Sequence, residues 1–388
     1  MNHVENLKGS WDVVIVGAGI VGAACALECA TRGLRTAVVE GGEVASGATA
    51  AAIGHIVLMN DSPAQLALTC YSQKLWLALA RRLPADVEFE QPGTLWIAAD
   101  DAEMDEVRRK HSAFAAAGLA SEILDSQALA DAEPHLRRPM AGALLVPSDA
   151  VLDPARAAAF LLDEALRTGA TLHASRRAVA ARGGRVRLED GIEVRAAHVV
   201  IACGAESAAL VPELPIRKRK GHLAITAPYP GLIRHQLVEL GYLQSAHATT
   251  ADSVAFNVQP RRSGQILVGS SRQFGDEEVA VNNTILSAML ERARLYLPAI
   301  GGCSLVRSWT GFRAATPDKL PLIGPWPADP TVLLATGHEG LGITTALATA
   351  RLIADHLTGV KSEIPAEPYR PARLSATHAG NGGLNKEA

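Results

Sequence analysis

Apolar and polar positions near the start of the chain alternate in blocks. Residues 12–16 (Asp-Val-Val-Ile-Val) are a β-branched run of the kind that builds a strand buried on both faces. Gly17-Ala-Gly19-Ile-Val-Gly22 follows at once, 23–32 reads as an Ala-rich helix closed by Gly33-Leu34, and a second run over 35–39 ends on Glu40. The pattern predicts strand, tight turn, helix, strand and acid. Further on, a helical period over 66–83 stops at Pro84, 93–99 reads as a strand and 101–118 as an amphipathic helix. Residues 142–146 are strand-like, and Asp153-Pro154 supplies an N-cap and a first-turn proline for a helix to about 168. Short strands are expected at 171–173, 186–188 and 192–194, as a meander, and a buried strand at 199–205.

From Lys220 the period becomes two. Residues 221–227, 253–259, 265–271 and 304–312 read as antiparallel strands, with a helix over 284–296 between the last two. A buried strand over 331–335, a glycine-rich turn over 336–342 and a helix over 343–357 then repeat the strand–glycine–helix order of the N-terminus. That repeat makes sense if the chain returns to the domain in which it began. The expected class is α/β combined with α+β: a Rossmann-like domain from 10–86, 150–220 and 320–373, interleaved with an antiparallel-sheet domain from 87–149 and 221–319. Residues 374–388 lack an apolar period and are expected to be a mobile tail.

Composition narrows the function classes. The chain has 388 residues, 48% of them hydrophobic, which is long enough to bury two interleaved cores without disulfides. A net charge of −3 gives no basic field for nucleic acid. The longest early apolar run, 13–27, is broken by Gly17, Gly19 and Gly22 and follows a polar segment, so no signal peptide and no membrane span are expected. Five scattered cysteines without a CxxC pair offer no metal framework and fit a reducing cytoplasm. Cys25 and Cys29 share a helix face and read as small core residues.

The N-terminal unit has the chemistry of a dinucleotide site. Gly17 permits the turn, Gly19 lets the backbone approach a pyrophosphate, Gly22 lets the helix pack on the strand, and the helix N-terminus offers N–H groups to the phosphates. Glu40, 18 residues after Gly22, can accept from both ribose hydroxyls and disfavours a 2′-phosphate, which argues against NADP. This unit alone does not decide between FAD and NAD. The small, flexible segment from Ser46 through Ala48, Thr49, Gly54 and His55 to Ile56 follows the acid directly, which suits a loop lying along a long cofactor and favours FAD. Gly204, at the end of the later buried strand, is expected near the adenosine.

Four motifs in order carry a family resemblance: the Gly17/Gly19/Gly22 unit with Glu40; Ser46-Gly-Ala-Thr49 onward; Gly311-Phe-Arg313-Ala-Ala-Thr316-Pro-Asp318-Lys-Leu-Pro321-Leu-Ile-Gly324; and Ala335-Thr-Gly337-His338-Glu-Gly340-Leu-Gly342-Ile-Thr344. Over residues 10–373 the chain resembles the D-amino-acid-oxidase-type FAD-dependent oxidoreductases, the group of glycine oxidase, sarcosine oxidases and D-amino-acid dehydrogenases. Within it, the stretch from His338 to Thr344 is most similar to the FAD subunits of multi-subunit bacterial dehydrogenases acting on D-hydroxyproline, opines or proline.

The resemblance implies a glutathione-reductase-like fold, a non-covalent FAD and removal of a hydride to flavin N5 from the carbon bearing an amine. Arg313 matches a carboxylate-binding arginine, and His338 is expected to position the substrate or tune the flavin. Asn257 stands on the strand where glycine oxidase has a pocket tyrosine, and would take a polar substituent such as a ring hydroxyl. Gly337, Gly340, Leu341, Gly342 and Ile343 would supply backbone contacts to the flavin, with Thr344 adding a hydroxyl. His55 and His222 are further candidates for the pocket. Where monomeric sarcosine oxidase has an oxygen-activating lysine, this chain reads Ile266-Leu267-Val268-Gly269, and its covalent-flavin cysteine has no counterpart near Gly311. The expected protein is therefore a dehydrogenase subunit, with cis-4-hydroxy-D-proline the leading substrate. Its electrons would leave to small partner subunits carrying [2Fe–2S] or flavin, or to a quinone. The expected location is the cytoplasm or the periphery of the inner membrane. The alternatives are an opine or proline dehydrogenase subunit and a stand-alone oxidase producing hydrogen peroxide.

Overall fold

The computed structural model describes residues 10–241 and 252–374. Two eight-stranded sheets form its frame. In the first, Ser10–Val16 lies between Thr36–Val39 and Glu193–Ile201, parallel to both, with Val13, Val14 and Ile15 fully buried. The strand Asp329–Thr336 adds on parallel beyond Glu193–Ile201, and Leu322–Trp326 closes that edge antiparallel. The C-terminal strand thus joins the N-terminal one in a single sheet, as the repeated strand–glycine–helix order requires.

Helices Ile20–Thr31, Pro154–Arg167 and Gly342–Thr358 pack together against this sheet. Arg32 on the first pairs with Asp355 on the last at 2.6 Å. Cys25 and Cys29 are buried in this core, as their shared helix face suggests, and burial pushes the Cys29 thiol up to about 12. Neither is a reactive thiol there.

The second sheet runs in the order Leu305–Ala315, Arg217–Thr226, Ile266–Phe274, Ser253–Pro260, Gln236–Glu239, Thr94–Ala98, Gly142–Val146, Glu122–Asp125. It is antiparallel except where Gln236–Glu239 runs parallel to Thr94–Ala98. Helix Asn283–Tyr296 covers one face, with Tyr296 stacked on Phe256 at 4.7 Å between centroids. Gly221, Asn257 and Arg313 of this sheet line a cleft shared with the Gly17 turn of the first.

Several expectations need correction. Residues 192–194 and 199–205 are not separate strands: Glu193–Ile201 is continuous, its first half paired antiparallel with Arg185–Leu188 and its second half parallel with the buried core. Thr171–His173 leaves the meander and edges the first sheet beside Thr36–Val39. The helix expected over 66–83 is Pro63–Leu79, started by the Ser62 cap and followed by a 3-10 turn. Arg217–Thr226 starts before the expected boundary at 220 yet belongs wholly to the second sheet. Of the expected tail, only Leu374 is among the described residues. No helix among the described residues is long and apolar enough to cross a membrane, and none of their acidic, His and Cys side chains cluster as a metal site.

Candidate active site

A cleft of about 1040 Å³ runs from the Gly17 turn to the second sheet. That exceeds the ~300–1,000 Å³ of ordinary small-molecule pockets and leaves room for a long ligand with a smaller one beside it. Its nucleotide end is built by close backbone contact. A Cβ on Gly17, whose φ is +108°, would fall 2.8 Å from the Ala202 carbonyl oxygen, and one on Gly22 would fall 1.9 Å from the Gly17 carbonyl oxygen. No side chain fits at either place, so the helix seats directly on the turn.

The polar groups here are partly spoken for. The Ile20 N–H donates to Thr49 Oγ1 at 3.0 Å, so one of the expected phosphate donors is already engaged and ties the loop to the helix. Glu40 accepts from the Ala18 and Gly42 N–H groups, each at 2.7 Å, one on each oxygen. Each carboxylate oxygen keeps a further lone pair, and Glu40 lines the cleft. Gly19, Ser46, Ala48, Thr49, Gly54, His55 and Gly204 all line the same cleft. Gly54, at φ +91°, is closed to a side chain by the Leu152 carbonyl.

At the centre, Gly337, Gly340, Leu341, Gly342 and Ile343 bring the N-terminus of helix Gly342–Thr358 to the cleft. Thr344 does not reach it. That side chain is buried, its hydroxyl donating to the His55 carbonyl at 2.9 Å and accepting the Val57 N–H at 3.2 Å, so the expected hydroxyl contact is spent on the fold.

His338 lines the cleft with Nε2 held 2.9 Å from Thr349 Oγ1, and burial lowers its pKa to about 4. His55 Nε2 sits 2.8 Å from Thr94 Oγ1 and 3.9 Å from Asp149 Oδ2, and burial lowers it to about 3. Both rings are neutral at pH 7. Asp149, beneath His55, accepts from the Leu58 N–H and the Gln73 amide at 3.0 Å each, and burial pushes it up to about 7.

The far end is a wall of the second sheet. Arg313 lies with its guanidinium over Gly221, where a Cβ would meet Nη1 at 2.4 Å and Cζ at 2.7 Å. Its Nη1 donates to the Ser271 carbonyl at 3.0 Å, and a Cβ added to Gly340 would lie 3.8 Å from its Nε. Gly311, two residues earlier, lets the strand touch the cofactor-side loop: a Cβ there would fall 2.4 Å from Ala51 Cβ. Asn257 lines the cleft with its carbonyl oxygen accepting from the Gln236 amide.

His222 is not part of the wall. It is fully buried, with Nδ1 2.9 Å from Ser271 Oγ and Nε2 accepting the Asn282 N–H at 3.0 Å, where it fastens the cap of helix Asn283–Tyr296. Sequence reading missed Gly221, Trp96, Ser270 and Arg272, all of which line the cleft. The polar run Ser270-Ser271-Arg272-Gln273 after the apolar Ile266-Leu267-Val268 was the available signal for the last two.

A dinucleotide fits this arrangement, from the closed glycine turn and Glu40 to the glycine-rich helix start. Comparison with known proteins agrees. The family model for FAD dependent oxidoreductases (DAO) matches residues 12–356. Glycine oxidase of Geobacillus kaustophilus (strain HTA426) is 28% identical over 96% of this chain and 99% of its own length. An opine oxidase subunit of Rhizobium meliloti is 24% identical over 95% and 99%. The crystal structure of glycine oxidase from Geobacillus kaustophilus superimposes with a TM-score of 0.85 at 26% identity, covering 94% of this chain and 98% of that one.

Proposed function

This chain belongs to the DAO family of FAD-dependent oxidoreductases, and from that premise we propose that it is a dehydrogenase oxidising the C–N bond of a small D- or secondary amino acid to an imine. The observation that carries the reading is Arg313, fixed over Gly221 and by the Ser271 carbonyl at the end of the cleft opposite the nucleotide turn. A guanidinium fork so held takes a substrate carboxylate through two parallel hydrogen bonds and thereby sets where the amine carbon lies.

In this reading the segments of the first sheet hold a non-covalent FAD and the second sheet supplies the substrate wall. Glu40 takes the ribose, Gly17 and Gly19 admit the pyrophosphate, and the start of helix Gly342–Thr358 offers N–H groups to negative charge on the ring. Bound FAD supplies the two-electron acceptor for the hydrogen on the amine-bearing carbon. The protein's part is placement. His338 and His55, both neutral, add no charge beside the substrate, and His338 braces the glycine turn through Thr349.

Among substrates, cis-4-hydroxy-D-proline is the leading cyclic candidate, its ring hydroxyl meeting the Asn257 NH₂. Electrons would pass to a small partner protein carrying [2Fe–2S] or flavin, or to a quinone; the likeness to an opine oxidase subunit supports a role in such an assembly. The full-length likeness to glycine oxidase favours, as a second reading, a stand-alone oxidase producing hydrogen peroxide.

Arg313→Ala tests the reading. We expect the substrate concentration for half-maximal flavin reduction to rise about 100-fold, as for loss of a charged bidentate contact, with flavin content unchanged. An unchanged half-saturation would remove Arg313 from the site and the reading with it.

A further inference from the structure

Beneath His55 lies a buried carboxyl that the proposed oxidation leaves without a task. His55 lines the cleft, and its carbonyl accepts the Thr344 hydroxyl at 2.9 Å, which ties it to the start of helix Gly342–Thr358. Its Nε2 sits 2.8 Å from Thr94 Oγ1 on the second sheet, so the ring bridges the two halves of the site. Thr94 pairs in register with Gln236, whose amide bonds Asn257 in the cleft wall. Among the described residues His55 Nδ1 has no hydrogen-bond partner and is not one of the fully buried unpaired atoms, so it opens to the cleft.

Asp149 stands behind this ring. Its Oδ1 is satisfied by the Leu58 N–H and the Gln73 amide, whereas Oδ2 is fully buried and makes no hydrogen bond of ordinary length among the described residues. His55 Nε2 lies 3.9 Å from Oδ2, and the Thr94 hydroxyl donates toward the carboxylate. An unpaired carboxylate oxygen at that depth is costly, and taking up a proton relieves the cost. Burial accordingly pushes Asp149 up to about 7, with Thr94, the Leu58 N–H, Gln73 and Lys110 opposing the rise. Lys110 is itself set among the charges of Asp61, Glu106 and Arg109. Cys70, which also feels Asp149, is held neutral by burial, its thiol pushed up to about 11.

We propose that His55, Thr94 and Asp149 form a relay that takes a proton from the substrate's ammonium group before the amine is oxidised. The inference rests on the proposed amine oxidation and supplies its acid–base partners. An amino acid arrives protonated on nitrogen, and that nitrogen has no electron pair to offer until the proton leaves. His55 Nδ1 accepts it, Nε2 gives its own proton to Thr94 Oγ1, and the hydroxyl gives its proton to Asp149 Oδ2. One substrate N–H bond breaks, one carboxyl O–H bond forms, and nothing is oxidised: ammonium and carboxylate become amine and carboxylic acid. Two opposite charges disappear together, which a buried site favours. The depressed pKa of His55, about 3, suits a link that passes a proton without keeping it. The 3.9 Å gap is of the kind that tightens when substrate binds.

The test uses the FAD-loaded protein and follows the rate of anaerobic flavin bleaching by saturating cis-4-hydroxy-D-proline, D-proline or N-methylglycine as pH is varied. The wild-type rate is expected to rise with pH and to level off above about 7, where Asp149 is ready to accept. Asp149→Asn keeps an acceptor for the Leu58 and Gln73 contacts. It should lose that acid limb and run about 100-fold slower on the former plateau, the loss of one acid–base partner. Thr94→Ser, which keeps the hydroxyl, should retain the limb, and Thr94→Val should lose it with flavin content unchanged. A second readout needs no turnover. Infrared difference spectra of the substrate-free holoprotein, taken across the same pH range, should show one buried carboxyl losing its proton near pH 7, a signal absent from Asp149→Asn.

A wild-type rate that ignores pH, an acid limb that survives Asp149→Asn or Thr94→Val, or a missing infrared signal would overturn the relay and leave amine oxidation standing. If none of the amines bleaches the flavin at any pH, the proposed oxidation fails, and the relay, left without a proton donor, fails with it.

Discussion

Arg313 rests on Gly221: the guanidinium lies where a Cβ of residue 221 would be, 2.4 Å from that position at Nη1. The two residues sit on paired strands, Gly221 opposite Gly311 and Arg313 two positions further. The arginine is placed by the lack of a side chain beneath it. Its direction is thus a property of the sheet, which lets a loose, long side chain act as a fixed anchor.

Gly221→Ala should therefore mimic a displaced Arg313. A methyl group at that site forces the guanidinium to move by about an ångström, a misplacement of the kind that costs about 100-fold in rate. Flavin reduction against substrate concentration should show this loss while flavin content stays near wild type. A variant with wild-type kinetics would show that Arg313 does not need its seat.

Gly22→Ala separates cofactor retention from substrate binding. The added Cβ collides with the Gly17 carbonyl, which is backbone and has nowhere to yield. The expected outcome is apoprotein, read as a large fall in the ratio of flavin to protein absorbance after gel filtration.

Thr49→Val removes the hydroxyl that accepts the Ile20 N–H at the start of the first helix. Loss of such a cap costs about 1 kcal/mol, and valine keeps the shape. We expect a melting temperature a few degrees lower and weaker FAD retention, both milder than in Gly22→Ala.

His338 gives a pH signature. Its folded pKa of about 4 lies below the ordinary 6.5, so the unfolded chain binds the proton first as pH falls. The folded state consequently loses stability between pH 6.5 and about 4, by on the order of 3 kcal/mol from this ring. Asp149 runs the other way: its raised pKa adds stability below pH 3.8 that is lost as pH rises through about 7. Melting temperatures across this range should decline less steeply on acidification in His338→Gln than in wild type. An identical slope would mean that the ring is protonated in the fold.

The frame was readable because its signals are local. Asp12 to Glu40 reads as strand, turn, helix and strand from composition and glycine spacing alone, and the structure places those elements there. The return of Asp329–Thr336 to the same sheet was readable from the repeated strand–glycine order. Glu193–Ile201 was misread because one strand serves two environments, exposed in an antiparallel pair and then buried in a parallel one, and its period changes midway. His222 and Thr344 were misassigned for a related reason. A polar side chain beside a motif has the same sequence signature whether it faces the cleft or a backbone partner, and only the tertiary pairing decides. The seat at Gly221 depends on the pairing of Gly221 with Gly311, ninety residues further along the chain, which no local pattern encodes.

Anaerobic absorbance titration tests the central claim most directly. The FAD-loaded protein is mixed with cis-4-hydroxy-D-proline, D-proline, N-methylglycine and an N-(carboxyalkyl) amino acid, and then exposed to air. The account predicts that at least one amine bleaches the flavin fully and that colour returns slowly in air, with electrons awaiting a partner. A flavin that stays oxidised with every amine would contradict amine oxidation, and rapid return of colour with hydrogen peroxide would contradict the dehydrogenase assignment.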